Sequence, residues 1–220
     1  MELTLDRLTL RRGGRTLIRD LSYTLPAGRA AALRGPNGVG KSTLLRALCG
    51  FLPLAEGRVR LGALELPSDR TAIQERVLYA GHLDAVKPAL SFAENLRLWA
   101  ELGGAGEDRA AGALERFGIA HMADRPAGEG SAGQKRRLGL ARMVVLERPL
   151  WLLDEPTVSL DRDSTALVAD LIAAHVAAGG LALIATHVDL GIPDLGELTL
   201  APPGPEPAEA EPDPFLAGSW

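Results

Sequence analysis

The sequence predicts an α/β protein organised around a parallel sheet, and three observations predict it. Leu150-Trp151-Leu152-Leu153 and Leu181-Ala182-Leu183-Ile184-Ala185 are uninterrupted apolar runs, the pattern of strands buried on both faces. The stretch between them, residues 163–178, reads as a crossover helix. A third short apolar run, residues 30–34, passes into a glycine-rich segment and then into the helix-like Leu44-Leu45-Arg46-Ala47-Leu48, which gives strand, glycine loop and helix in that order.

The remaining elements follow along the chain. Leu3, Leu5, Leu8 and Leu10, then Leu21, Tyr23 and Leu25, alternate with polar residues on either side of Arg12-Gly13-Gly14-Arg15, as in a half-buried antiparallel hairpin. Residues 57–66 read as a small β-ribbon and Val77-Leu78-Tyr79 as one more core strand. Ser91 and Glu94 have capping-box spacing, and Phe92, Leu96 and Trp99 fall on one face of the helix they would start, an ordinary packing stripe. From residue 201 the composition turns to Pro, Glu and Ala, which buries too little apolar surface to order itself, so residues 201–220 are expected to form a flexible tail.

Bulk properties narrow the function classes. The 220 residues suffice for one sizeable core. The tail's Glu206, Glu209, Glu211 and Asp213 account for the whole formal charge of −4, and a neutral body carries no electrostatic footprint for nucleic acid. Cys49, the single cysteine, has no internal disulfide partner and fits a reducing compartment. The most apolar stretch, residues 171–185, is interrupted by His175, Gly179 and Gly180, so membrane association would come through a partner. The N-terminus starts directly with strand-like alternation, without a secretion signal's basic and apolar regions.

The chemistry concentrates in three places. Gly35-Pro36-Asn37-Gly38-Val39-Gly40-Lys41-Ser42-Thr43 fits the pattern G-x-x-x-x-G-K-[ST]. Its glycines let successive backbone N–H groups converge on phosphate oxygens, and the following helix presents its positive end. Lys41 offers a point charge to the β- and γ-phosphates, Ser42 a hydroxyl to Mg²⁺, and Thr43 a reach to the α-phosphate. A glycine turn that contains Lys-Ser by chance is the competing reading, and the strand before and helix after weigh against it.

Asp154 and Glu155 follow the apolar run at 150–153, so a parallel strand delivers both carboxylates to its C-terminal end, where open α/β sheets bind ligands. Asp154 would hold Mg²⁺ through water, and Glu155 would orient and polarise an attacking water. Two acids capping a strand end are the bland alternative. His187 ends the other run within reach of a γ-phosphate; a lone histidine there is more often structural, and only the combination of motifs promotes it.

The ordered set of residues 35–43, Ser131-Ala132-Gly133-Gln134, Leu153-Asp154-Glu155-Pro156, Ser159-Leu160-Asp161 and Thr186-His187 resembles the motif set of ABC transporter nucleotide-binding domains. The resemblance covers residues 1–200. It implies a P-loop NTPase with a RecA-like core, an antiparallel β-lobe and a helical lobe at roughly residues 83–147. It further implies that ATP and Mg²⁺ are the cofactors and that two copies form a homodimer in the ATP state. Ser131, Gly133 and Gln134 of one copy would then close over the triphosphate of the other, with Asp161 coupling the two sites. ATP hydrolysis would drive integral membrane permease subunits, with this chain peripheral on the cytoplasmic face of the inner membrane.

Within that family, Tyr79-Ala80-Gly81-His82, Lys87, the run Leu90-Ser91-Phe92-Ala93-Glu94-Asn95-Leu96 and the signature followed by Lys135-Arg136-Arg137 resemble the ATP-binding subunits of the haem exporter of cytochrome c biogenesis. There His82 stands where most relatives have the glutamine that senses Mg²⁺ and water. Haem as indirect cargo is implied by this resemblance alone, since the chain has no Cys-x-x-Cys-His and no Cys/His cluster. Two departures stand out. Residues 11–15 hold no aromatic where a base-stacking residue is usual, and Gly130 occupies the place of a leucine before the signature serine, an expected loosening of that helix start. The alternatives are a soluble ABC ATPase, a small exporter subunit with other cargo, or a nucleotide-binding module without turnover.

Overall fold

The computed structural model describes residues 1–106 and 108–204. The expected tail lies for the most part outside the described residues; residues 201–204 have no regular structure. Strand β1 (Leu3–Arg12) and β2 (Arg15–Leu25) form the expected hairpin, and β4 (Glu56–Leu61) and β5 (Leu64–Leu66) extend it into a four-stranded antiparallel sheet ordered β2-β1-β4-β5. Its buried face carries Leu3, Leu5, Leu8, Leu10 and Leu25. Fully burying one such side chain is worth about 1.5–3 kcal/mol.

The second sheet is parallel throughout. It contains β3 (Arg29–Arg34), β6 (Val77–Ala80), β7 (Leu150–Asp154), β8 (Leu181–Ala185) and β9 (Gly196–Thr199), in the order β6-β7-β8-β3-β9. The apolar runs are unbroken because period two sends alternate residues to different cores. Leu150 and Leu152 of β7 and Leu181 and Leu183 of β8 join α1 (Lys41–Leu48) and the antiparallel sheet in one core. Trp151, Leu153, Ala182 and Ile184 face the other, with α6 (Arg162–Ala177) and helices α3 (Phe92–Gly103), α4 (Asp108–Arg116) and α5 (Ala132–Val145).

A short helix, α2 (Arg70–Gln74), precedes β6. The Ser91 hydroxyl accepts from the Glu94 N–H while the Glu94 carboxylate accepts from the Ser91 N–H, so the expected cap starts α3. One expectation shifts: β6, read as a core strand, is the edge of the parallel sheet and alternates half-buried with buried residues. Among the described residues no helix is long and apolar enough to cross a membrane.

Candidate nucleotide site

The C-terminal ends of β3, β7 and β8 point the same way, and the expected site residues 35–43, 154, 155 and 187 follow directly from them. Strand β3 runs into the glycine loop. Gly35 has φ +138, and a Cβ there would lie 2.5 Å from the Leu200 carbonyl oxygen, so the loop leaves the sheet through a position only glycine fits. Gly40 caps α1 in the left-handed conformation, and no acidic side chain occupies the first turn of that helix. Its positive end is therefore uncompensated, as an anion site requires. Lys41 is buried, and its Nζ donates to the carbonyls of Gly35 at 2.7 Å and Pro36 at 3.1 Å, which holds the ammonium inside the curve of the loop.

An open cavity of about 510 Å³ brings Asn37, Gly38, Gly40, Lys41, Ser42 and Thr43 together with Asp154 and Glu155. Asp154 is buried, and Glu155 adopts φ 48, in the left-handed region that a non-glycine residue enters at a cost. The Glu155 N–H donates to the Ala185 carbonyl at 2.8 Å. His187 joins the two halves of the site: its Nε2 lies 3.2 Å from Asn37 Oδ1 and 3.4 Å from Glu155 Oε1. The preceding residue, Thr186, is held by its carbonyl, which accepts from Arg34 Nη1 at 2.6 Å.

The signature residues sit elsewhere. Ser131 caps α5, its hydroxyl accepting from the Gln134 N–H at 3.2 Å while Gln134 Oε1 accepts from the Ser131 N–H at 2.9 Å. This reciprocal cap closes the helix start expected to be loose, and Gly130 has a packing role: a Cβ there would lie 2.8 Å from Phe92 Cζ. Ser131 and Gly133 do not line the cavity of their own chain. A Cβ on Gly133 would lie 3.5 Å from the Ser159 carbonyl, so the signature lies beside the segment that leads to Asp161. Asp161 caps α6, accepting from the Ser164 N–H at 2.8 Å, and its hydrogen bonds with Ser164 hold its carboxyl below the usual range.

Sequence reasoning missed one organising residue. Arg136, only 6% exposed, donates through Nη1 to the Gly81 carbonyl at 2.9 Å and to Asp84 at 3.0 Å, and through Nη2 to the Glu155 carbonyl at 2.7 Å. It ties α5 to the segment carrying His82 and to the backbone of Glu155. His82 and Glu155 line one further cavity, with Arg136 in its wall. No local signal in the sequence marks Arg136 among the basic residues around it.

The ABC transporter family model matches residues 18–158. The cytochrome c biogenesis ATP-binding export protein CcmA of Cereibacter sphaeroides is 50% identical over 218 residues, 98% of each chain. The protein of the same name from Ruegeria pomeroyi is 51% identical and covers 94% of this chain and 95% of its own. Among solved structures, a dimeric ATP-binding cassette bound to ADP and phosphate in a post-hydrolysis state superposes with a TM-score of 0.79 at 22% identity, covering 90% of this chain and 94% of that one. A bacterial Atm1-family ABC exporter with ATP bound also reaches 0.79, at 24% identity over 91% of this chain and 37% of its own.

Proposed function

From the premise that this chain belongs to the ABC transporter family, we propose that it is the ATP-hydrolysing subunit of a cytochrome c biogenesis exporter, with haem as the cargo moved by separate membrane subunits. The proteins named as cytochrome c biogenesis export proteins match it at about 50% identity end to end, which favours this reading over a soluble ATPase or an exporter of other cargo. The observation that carries the catalytic reading is the convergence of Lys41, Ser42, Asp154 and Glu155 on one cavity, two of whose lining residues, Asn37 and Glu155, are joined by His187.

The loop N–H groups and Lys41 bind the β- and γ-phosphates, trading the Gly35 and Pro36 carbonyls for phosphate oxygens. The Ser42 hydroxyl and the Asp154 carboxylate face the same cavity, and this oxygen donor pair would hold Mg²⁺, a hard cation that prefers oxygen ligands. When bound, Mg²⁺ would supply positive charge that offsets the charge of the phosphates. Glu155 accepts a hydrogen bond from a water and aims its oxygen at the γ-phosphorus. The new P–O bond forms as the bond to the β–γ bridging oxygen breaks, leaving ADP and inorganic phosphate, with the released proton passing to solvent. His187, held by Asn37 and Glu155, donates to the γ-phosphate as charge builds there.

A second copy of the chain completes the site. Ser131, Gly133 and the N-terminal turn of α5 are absent from the cavity wall of their own chain, and an opposed protomer would bring them over the γ-phosphate as another helix N-terminus. His82 and Asp161 flank that closure, the first beside Glu155 and the second at the start of α6. Residues 83–147 would form the helical lobe of a single domain spanning 1–200, peripheral on the cytoplasmic face of the inner membrane. The test is Glu155→Gln in the purified chain: turnover is expected to fall by about 10²-fold or more, and ATP is expected to trap a dimer in light scattering. A variant that hydrolyses ATP at the parent rate, or stays monomeric with saturating ATP, overturns the reading.

A further inference from the structure

Strand β8 ends at Ala185, two residues before His187, and both neighbouring strands hold that exit. On one side the Glu155 N–H, just past β7, donates to the Ala185 carbonyl at 2.8 Å. On the other, the ladder with β3 stops at the pair Leu33 and Ala185, and a side chain joins the next two residues: Arg34 Nη1 donates to the Thr186 carbonyl at 2.6 Å. So short a distance belongs to a charge-assisted bond. Thr186 is fully buried, and its hydroxyl accepts from the Val188 N–H at 3.1 Å, which closes the turn around His187. The His187 side chain itself is 52% exposed. A ring with half its surface in water has few walls to fix it, so its aim toward Asn37 and Glu155 is inherited from the peptide before it.

We propose that Arg34 is a positioning residue for hydrolysis: its guanidinium fixes the peptide between Thr186 and His187 relative to the phosphate loop, and so aims His187 at the γ-phosphate. This rests on the cavity being an ATPase site. Arg34 is the last residue of β3, and Gly35, held where only glycine fits, follows directly. The Arg34 carbonyl also accepts from the Leu200 N–H at 2.9 Å, beyond β9, so the base of the side chain is anchored from that edge. The half-buried Arg34 is not among the residues that line the cavity, so it acts on the phosphates through His187 and not by contact. Methionine in its place fills similar space and leaves the Thr186 carbonyl without its charged donor. The turn is then free to rotate, and His187 spends part of its time away from Asn37 and Glu155.

Steady-state ATPase kinetics of the full chain, with a double-mutant cycle against His187, tests this. Arg34→Met is expected to lower kcat about tenfold, the low end for a hydrogen bond to a charged group. The KM for Mg·ATP is expected to stay within about twofold, because the phosphate loop is untouched. In the His187→Ala background the same change is expected to cost less than about twofold, since a residue that acts through the ring has nothing left to aim. Arg34→Lys keeps a charged donor on a long stem and is expected within about threefold of the parent. Circular dichroism confirms that each variant is folded; should Arg34→Met unfold, Arg34→Gln, too short to reach Thr186, takes its place with the same expectations. An unchanged kcat, an equal loss with and without His187, a loss that falls on KM, or a lysine variant no better than methionine would each overturn the proposal and leave the ATPase reading standing. A parent chain that does not hydrolyse Mg·ATP overturns both.

Discussion

Replacing Arg136 by methionine, which keeps the volume of the side chain and removes its guanidinium, tests how α5 is coupled to the hydrolytic end of the cavity. The guanidinium makes three charge-assisted hydrogen bonds between 2.7 and 3.0 Å, to Gly81, Asp84 and Glu155. At about 1.5 kcal/mol each, the low end for bonds to a charged group, the loss sums to about 4.5 kcal/mol. That is also the scale for stripping one partner from a buried ion pair, and the Asp84 side chain is 27% exposed, which moderates the penalty left behind. For a chain of this size the melting temperature would fall by roughly 9–18 °C. Arg136→Lys keeps the charge but reaches fewer of the three acceptors, so it should lie between the two. Function should fall further than stability alone explains. Glu155 holds φ 48 with its carbonyl bound to Arg136 Nη2, and release of that carbonyl lets the backbone relax toward ordinary conformations and swing the carboxylate away. Thermal unfolding by circular dichroism, paired with ATPase assays at 15 °C where the variant is folded, separates the two effects. A melting temperature within 3 °C of the parent with unchanged turnover would refute the reasoning.

Three more outcomes follow from the geometry. His187→Ala should reduce turnover by about 10²-fold with little change in melting temperature, because the ring is half exposed and, among the described residues, bridges Asn37 and Glu155; steady-state kinetics and melting curves check both halves. Gly130→Ala should destabilise the chain by about 1–3 kcal/mol in urea unfolding, since the new methyl meets the fully buried Phe92 ring at 2.8 Å. Burial pushes the Cys49 thiol from 9.0 up to about 12. Its contribution is therefore fully present below pH 9 and is lost as pH rises toward 12, because the unfolded chain releases the proton first. Unfolding free energy should fall with a limiting slope of about 1.4 kcal/mol per pH unit across that window, and Cys49→Ala should remove that component.

The phosphate loop and the buried strands were legible because their signals are local. A glycine required by its φ, a lysine six residues on and an apolar run ending in carboxylates all lie within one stretch of chain. The capping boxes at Ser91 and Ser131 were legible or nearly so for the same reason. What escaped depends on contacts distant in sequence. Arg136 reaches Gly81 and Asp84 across more than fifty residues, and nothing in Lys135-Arg136-Arg137 says which of the three turns inward. Gly130 looked like a weak helix start because Phe92, the ring that needs its space, is 38 residues away. Strand β9 spans four residues, too few for an alternation pattern to emerge, and exists because β3 offers it an open edge. For the same reason β6 could not be ranked as edge or centre: strand order is a property of the sheet.

That strand order carries a dimensional consequence. β8 lies between β3 and β7, so the phosphate loop and the carboxylates depart from strands two hydrogen-bonded spacings apart, about 9.6 Å. His187, which leaves the middle strand, lies midway, which is why one ring touches Asn37 on one side and Glu155 on the other. The gap that must admit a phosphoryl group and its attacking water is thus a repeat distance of the β-ladder, and no loop substitution resizes it. Evolution of turnover in such a chain is confined to which side chains project into an interval whose width the backbone has already standardised.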